Sequence, residues 1–325
     1  MKEEKTFFVL LQNDVISFFR GYIDCSGQFS WLYLLCSVLL AVWVYSEHRT
    51  QVSSHSSSSF LSYLFPKKIY TSFSAKQDYW LYLWNSIIGI LISAWIAWMA
   101  FPIYEGPEKL AVWLEKNLGS SPFPLEDGFM TRLFFTTWIV LANDFAVFFC
   151  HYMFHKLPRL WHFHRVHHSA QVLTPITSNR THPFDDILNY LYGIAALIVL
   201  GGLFRYLFGV QPQTIKIAGV EFWVFLFRVF GTHLRHSHIW FTFPRPFSYI
   251  FLSPAHHQLH HSRADEHIDK NFGAIFSFWD RLFGTHMMPP EEDPDLSFGL
   301  NKENPNPYHS VADTFIRPFR DFFRN

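Results

Sequence analysis

Long apolar stretches alternate with shorter polar segments along the chain. Five of them approach the roughly 20 residues that a helix needs to cross a bilayer. They lie at 29–45, 79–104, 133–152, 187–208 and 217–230. The last stretch is short and contains Glu221 and Arg228, so the last two could instead form a re-entrant hairpin. The pattern therefore predicts an all-α integral membrane bundle of four to five spans.

The polar segments divide the chain into four predicted parts. Residues 1–28 are expected to form an interfacial segment, and residues 29–130 the N-terminal transmembrane helices and their loops. Residues 131–288 combine apolar stretches with most of the histidines and are interpreted as the functional domain. Residues 289–325 are polar and contain six prolines, which favours a loosely ordered tail.

The charges between the apolar stretches predict an orientation. Segment 46–78 has four basic and two acidic residues, segment 105–128 has two basic and five acidic ones, and segment 153–184 has four basic residues and no acid. Because basic residues collect on the cytoplasmic side of a membrane, we expect the first and third of these segments there. The membrane would be the inner membrane if the protein is bacterial.

The overall composition excludes several classes of protein. The 325 residues include 26 Lys and Arg against 26 Asp and Glu, so the net charge of zero gives no electrostatic footprint for nucleic acid. Only three cysteines are present, at 25, 36 and 150. Because they are widely spaced, neither a disulfide framework nor a thiolate metal site is expected.

Histidine is concentrated in one part of the chain. Of the 19 histidines, 15 lie between His151 and His267, and many are three or four residues apart. Such spacing places side chains on one face of a helix. The spaced residues are the pair His151 and His155, the triplet His164, His167 and His168, the group His233, His236 and His238, and the triplet His257, His260 and His261, with His256 adding a second i, i+4 pair to His260.

This spacing predicts a centre with two metal ions. Imidazole is a suitable ligand for iron, zinc, copper and nickel. About ten imidazoles are available, whereas one ion uses only about four to six ligands. Asp144 lies seven residues before His151, on the same helix face, so its carboxylate could be a ligand or could orient one.

Several motifs resemble the fatty acid hydroxylase superfamily, in particular its bacterial sterol desaturase-like branch. They are HYMFH at 151–155, HFHRVHH at 162–168, HSH at 236–238, HHQLHH at 256–261 and NFGAIFSFWDRLFGT at 271–285. The similarity covers residues 144–285. It implies an integral membrane, non-haem di-iron enzyme that uses O2 and two electrons to hydroxylate or desaturate a lipid, with the catalytic domain at 131–288.

The resemblance also implies a set of site residues. Asn271 could orient a ligand imidazole, His182 matches only some members, and His238 occupies a position where the family commonly has asparagine. The implied catalytic metal ligands are His151, His155, His164, His167, His168, His236, His257, His260 and His261, and His233 is implied as a further metal ligand.

The partners follow from what the chain lacks and from its apolar composition. Neither a dinucleotide-binding fingerprint nor a phosphate-binding loop is found, so the electrons are expected from a cytochrome or a ferredoxin with its reductase, docking near Arg159, Arg165 and Arg263. The substrate would be a membrane lipid such as a sterol, a fatty acyl chain or an isoprenoid. Related di-iron chemistry on ether lipids or carotenoids stays open. So does a histidine-rich metal transporter, although its ligands should lie mid-membrane.

Overall fold

The computed structural model describes residues 2–51, 59–100 and 105–324, which are mostly helical. The helices, in chain order, are α1 (Lys2–Ile23), α2 (Trp31–Gln51), α3 (Phe60–Leu64), α4 (Lys67–Tyr70), α5 (Phe73–Ala100), α6 (Gly106–Leu118), α7 (Phe129–Lys156), α8 (Pro158–His168), α9 (Pro183–Ala196), α10 (Gly202–Phe208), α11 (Phe222–Val229), α12 (Arg245–Ser248), α13 (Pro254–His261), α14 (Phe278–Phe283) and α15 (Val311–Arg324). Two short strands, β1 (Lys216–Ile217) and β2 (Val220–Glu221), pair antiparallel.

The described residues form two compact units. The first unit takes residues from 1–31, 88–150 and 187–226, and the second takes residues from 32–87, 151–186 and 227–325. The four parts inferred from the sequence stay predictions.

In the first unit, aromatic packing and close helix contact hold the apolar helices together. Phe204 of α10 is fully buried, and its ring centroid lies 4.8 Å from that of Phe135 in α7. A Cβ atom at Gly202 would lie 2.9 Å from Leu110 Cβ, so glycine is what lets α10 approach α6. One π-helical turn, Leu197–Gly201, joins α9 to α10.

Two of the five predicted spans lie in helices that are long and apolar enough to cross a membrane. Within the described ranges, these helices are Phe129–Lys156 and Pro183–Phe208. The apolar helix over the first predicted span, Trp31–Glu47, is shorter. The second span coincides largely with α5, and its end at residues 101–104 lies outside the described residues.

The fifth predicted span is wrong. Ala218 and Gly219 adopt left-handed φ values of 49° and 82°, which reverse the chain between β1 and β2. The following helix, α11, has only eight residues and is therefore about 12 Å long, far short of a bilayer. The described residues thus support two spans by length and composition, fewer than the four to five that the apolar pattern predicts.

In the second unit, local sequence signals set where the histidine-bearing helices begin. Pro158 occupies the first turn of α8, where a missing N–H costs nothing. Ser253 is the N-cap of α13, with Pro254 at the first helical position and His256 completing a capping box. Both helices therefore begin at a fixed residue, which sets the direction of the histidines they carry.

Part of the C-terminal segment is ordered, contrary to the expectation of a loose tail. Helix α15 packs on α8, with Thr314 and Pro318 buried. The rings of Phe163 in α8 and Phe319 in α15 are 5.1 Å apart. The strongly amphipathic sequence of α15 explains this, because its phenylalanines gain by covering α8.

Candidate metal centre

Nine histidines of the second unit converge in two neighbouring groups. Within each group, one ring nitrogen of every residue lies within 4.8 Å of those of all the others. The ring centroids of His168 and His261, one from each group, are 4.7 Å apart. The first group consists of His151, His155, His164, His168 and His260, and the second of His167, His236, His257 and His261.

The two HxxHH triplets contribute to both groups in a reciprocal way. In α8, the i, i+4 pair His164 and His168 belongs to the first group and His167 to the second. In α13, the i, i+4 pair His257 and His261 belongs to the second group and His260 to the first. On a helix, the side chains of residues i and i+4 point in similar directions. The side chain of residue i+3 is rotated away from both of them. Each triplet can therefore serve two adjacent positions.

Main-chain carbonyl groups orient three of the rings. Nδ1 of His151 donates to the carbonyl oxygen of Phe272 at 2.8 Å, and Nδ1 of His260 donates to that of Lys270 at 2.7 Å. Nδ1 of His167 similarly donates to the carbonyl oxygen of Arg180 at 3.2 Å. A neutral ring that donates from Nδ1 keeps the lone pair on Nε2, where it can bind a metal.

Carboxylates orient two further rings of the first group. Nδ1 of His164 lies 3.1 Å from Oδ2 of Asp185, a buried residue at the start of α9. Nδ1 of His155 lies 3.3 Å from Oδ1 of Asp269, whose other oxygen is 2.5 Å from the ammonium of Lys156. Carboxylate partners of this kind raise the basicity of a ligand imidazole.

The spacing of the ring nitrogens fits bound metal ions. In the second group, Nε2 of His236 lies 3.2 Å from that of His167, 3.1 Å from that of His261 and 3.0 Å from that of His257. Two nitrogens bound at roughly 2.0–2.1 Å to one ion, at angles between right and tetrahedral, lie roughly 2.9–3.4 Å apart. The donor set is compatible with iron, zinc, copper or nickel.

Buried ring nitrogens in the first group also indicate a metal-binding position. Nε2 of His151, His164 and His260 is buried and has no hydrogen-bond partner within the described part of the chain. A buried polar atom without a partner is costly, and a bound cation would remove that cost. Both groups therefore fit a metal ion.

Burial keeps these imidazoles neutral. It holds the pKa of His168 and of His261 well below the ordinary value of 6.5, and the neighbouring histidines lower both further. Neutral imidazole is the form that binds metal, so the rings are in their ligand form near pH 7.

A family comparison adds to this geometry. The model of the family described as fatty acid hydroxylase matches residues 136–285, a range that contains all nine converging histidines. The resemblance to the fatty acid hydroxylase superfamily is thus confirmed over this range, a little under half of the chain.

Several curated members of the superfamily are similar to this chain. An alkylglycerol monooxygenase of Caenorhabditis elegans is 26% identical over 52% of this chain and 30% of its own length. An ornithine lipid hydroxylase of Rhizobium tropici is 29% identical, covering 47% of this chain and 41% of its own. A Delta(7)-sterol 5(6)-desaturase of Gibberella zeae is 28% identical, covering 50% and 42%. The alignments thus span about a third to two fifths of these relatives, and no solved structure matches.

Three other predicted site residues lie outside both groups. His233 is buried in the short 3-10 segment Thr232–Leu234. Asp144 is buried in the part of α7 that belongs to the first unit. Asn271 bonds main-chain groups, donating to the carbonyl oxygens of His256 and Met287 and accepting from Met287 N–H. Asn271 thus fixes the backbone at the start of α13, with no bond to a ligand ring.

Three further histidines named in the sequence analysis form hydrogen bonds with main-chain groups. His238 donates from Nε2 to the carbonyl oxygen of Tyr63 at 2.7 Å. His182 donates from Nε2 to that of Phe315 at 3.1 Å. His256 accepts from the Ser253 N–H at its Nδ1, so it caps α13. None of the three belongs to either group among the residues searched.

Three partners of the ligand rings were not among the sequence predictions: Asp185, Asp269 and Arg235. Asp185 lies three residues after His182, and Arg235 directly precedes the HSH motif at 236–238. Their positions next to histidines named in the sequence analysis are the signals that could have identified these two residues. For Asp269, no spacing rule marks the residue.

A cavity of about 390 Å³ reaches the first group. It is lined by His155, His168 and His260 together with Trp161 and Ile268, among other residues. The ring centroid of Trp161 lies 4.9 Å from that of His155 and 5.4 Å from that of His168. The cavity provides access to the first group for small molecules.

Proposed function

We propose that the chain is a membrane-bound, non-haem di-iron oxidoreductase that uses O2 and two external electrons to hydroxylate or desaturate a C–H bond of a lipid. The observation that carries this proposal is the pair of adjoining all-imidazole groups, with five and four histidines. The match of residues 136–285 to the fatty acid hydroxylase family and the lipid-modifying relatives support oxidation of a lipid. A storage or transport protein would not need two adjacent positions with five of their nine rings oriented by hydrogen bonds to oxygen atoms.

Iron is the metal that we assign to both positions. The first and the second histidine groups would each hold one ion, and zinc, which has no redox chemistry, would not serve. When bound, two iron ions supply the electrons for reduction of O2 and the oxidising power for attack on a C–H bond. The protein supplies the geometry, because a metal position is useful only when its ligands are fixed.

The ligand rings are held against movement and away from bulk water. The ring of Phe272 lies 4.8 Å from that of His155, 5.4 Å from that of His151 and 5.6 Å from that of His260. Phe272 is fully buried, so it forms an apolar wall on the first group. Such a dry wall protects a reactive centre from side reactions. We assign the nearby cavity beside Trp161 to the entry of O2.

We place the protein in a membrane, with its histidines on the cytoplasmic side and in the inner membrane if it is bacterial. The two long apolar helices and the distribution of basic residues support this placement. The electron donor would be a separate cytochrome or ferredoxin with its reductase. Of the three arginines predicted at its docking site, Arg159 is exposed. Arg165 pairs with Asp321, which weakens its role.

The relatives suggest several lipid classes as the substrate. Alkylglycerols, ornithine lipids and sterols are the lipids named for similar proteins, and a carotenoid stays an alternative. Extracts that contain all four classes should therefore be screened together.

The decisive experiment compares lipids from membranes that contain the wild-type chain or His168→Ala. His168 belongs to the first group and His309 is exposed outside both, so His309→Ala is the matched control. With isotopically labelled O2, we expect one lipid to gain a labelled oxygen atom or to lose two hydrogen atoms, with wild type and control alike, and not with His168→Ala. About two irons per wild-type chain, measured with iron in excess, should accompany the activity. Copper or no bound metal, with unchanged lipids, would favour the transporter.

A further inference from the structure

Arg235 brings a positive charge to the edge of the second histidine group. Its side chain is buried, and Nη2 lies 3.0 Å from Nδ1 of His257 and 3.2 Å from the carbonyl oxygen of Gly273. Nη1 donates to the carbonyl oxygen of Ala274. The guanidinium carbon also lies 5.2 Å from the centroid of the Phe227 ring. These contacts fix the guanidinium against His257.

The bond between Arg235 and His257 has only one possible direction. A guanidinium group has five N–H donors and no acceptor, so Nδ1 of His257 must accept. Five other ligand rings instead direct Nδ1 at an oxygen atom. His257 is therefore oriented in the opposite sense to these five.

This orientation conflicts with metal binding at His257. A neutral ring that accepts at Nδ1 carries its single proton on Nε2. Nε2 of His257 is the atom that points into the second group, 3.0 Å from Nε2 of His236 and 3.1 Å from Nε2 of His261. The lone pair that a metal needs is thus absent from that atom, and the nearby guanidinium charge also repels a cation.

We propose that Arg235 makes the two metal positions unequal, so that the five-histidine position binds its ion tightly and the four-histidine position binds its ion weakly. This inference rests on the proposed function only in that both groups hold metal. The chain would then keep one ion firmly bound, and occupancy of the second position would follow the concentration of available metal.

The inference can be tested with cobalt(II), whose visible absorption reports nitrogen coordination. The full chain in detergent, stripped of metal with a chelator, is titrated with cobalt alone. Wild type should bind two ions in two steps whose Kd values differ by about tenfold or more. Changes in the second step are then read against the first step of the same sample, which also shows that the site is folded.

Three variants separate charge and hydrogen-bond direction from simple packing. In Arg235→Gln, the amide oxygen can accept from Nδ1 of His257 while the amide nitrogen donates to the carbonyl of Ala274. We expect its second step to tighten by about tenfold or more, with the first step unchanged. Arg235→Met, which lacks both donor and charge, should also tighten the second step. Arg235→Lys keeps a donor-only cation and should retain the weak step.

The cobalt titrations separate the inference from the proposed metal function. A single step in wild type, or an unchanged or weaker second step in both Arg235→Gln and Arg235→Met, overturns the inference and leaves the two-metal site standing. Loss of the first step in both variants would show that Arg235 only supports packing, and it would overturn the inference as well. Failure of wild type to bind any cobalt would instead overturn the proposed metal function.

Discussion

Arg180 and Asp78 form an ion pair in which both side chains are completely buried and 2.7 Å separates Nη1 from Oδ1. The guanidinium also donates to Ser169 Oγ at 2.9 Å, and the carboxylate accepts from Thr177 Oγ1 at 2.6 Å. The main-chain carbonyl of Arg180 accepts from Nδ1 of His167. The pair therefore secures the backbone segment that orients one ligand of the second group.

Asp78→Asn should strongly destabilise the protein. The substitution leaves the Arg180 guanidinium buried without its carboxylate, and removal of one partner of a buried pair costs about 3–5 kcal/mol. Thermal or denaturant unfolding in detergent would measure the loss. Asp313→Asn is the matched control, because Asp313 lies 3.9 Å from Arg317 in a partly exposed pair and should cost less than about 1 kcal/mol. Similar losses of stability in the two variants would show that the buried ion pair contributes no more to stability than the exposed one.

Asp185→Asn should weaken metal binding at the first position. The Asp185 carboxylate faces Nδ1 of His164, and loss of such a partner typically reduces metal affinity about 10–100-fold. The neighbouring Asp186 provides a matched control, since its carboxylate bonds Thr181 Oγ1 and both acids lie in the first turn of α9. A metal titration of Asp185→Asn and Asp186→Asn should show the loss only in the former. An equal effect in both would point to the helix terminus as the cause.

Helical spacing predicts which histidines share a helix face, but not how two helices face each other. The triplets of α8 and α13 follow directly from the i, i+3, i+4 pattern. Their reciprocal division between the two groups depends on the mutual orientation of α8 and α13, which the spacing within one helix does not contain. For the same reason Asp269 was not predicted, since its contact with His155 joins residues 114 positions apart.

Two other outcomes show where local pattern is insufficient. Residues 217–230 are apolar enough to suggest a span, yet the left-handed pair Ala218 and Gly219 begins a hairpin instead. His256 has the i, i+4 spacing to His260 that a ligand would have, yet its position as third residue of α13 gives it a capping role. Turn and cap chemistry therefore outweighed the periodic pattern in both places.

His256→Gln and His257→Gln should differ in their effect on metal binding although the residues are adjacent. Nδ1 of His256 accepts from the N–H of Ser253 at 3.1 Å, and glutamine at this helical position can accept the same bond. His256→Gln should therefore keep its full metal content, whereas His256→Ala should lose about 0.5–2 kcal/mol of stability with the cap. His257→Gln should lose the weak second step of a metal titration, because it removes one of the four imidazoles of that position. Metal titration and thermal unfolding of the three purified variants would check this, and loss of a step from His256→Gln alone would contradict it.

His182 should make the protein less stable as the pH falls from 6.5 towards 4. Burial lowers the pKa of His182 from 6.5 to about 4, against a smaller opposing effect of its bond to the Phe315 carbonyl oxygen. Below pH 6.5 the unfolded chain binds a proton at this residue while the folded chain does not, so about 1.4 kcal/mol of stability is lost per pH unit in this window. His182→Gln lacks this contribution. The difference in unfolding free energy between wild type and His182→Gln should therefore shrink by about 2 kcal/mol between pH 7 and pH 5, and a difference that stays constant with pH would contradict the prediction.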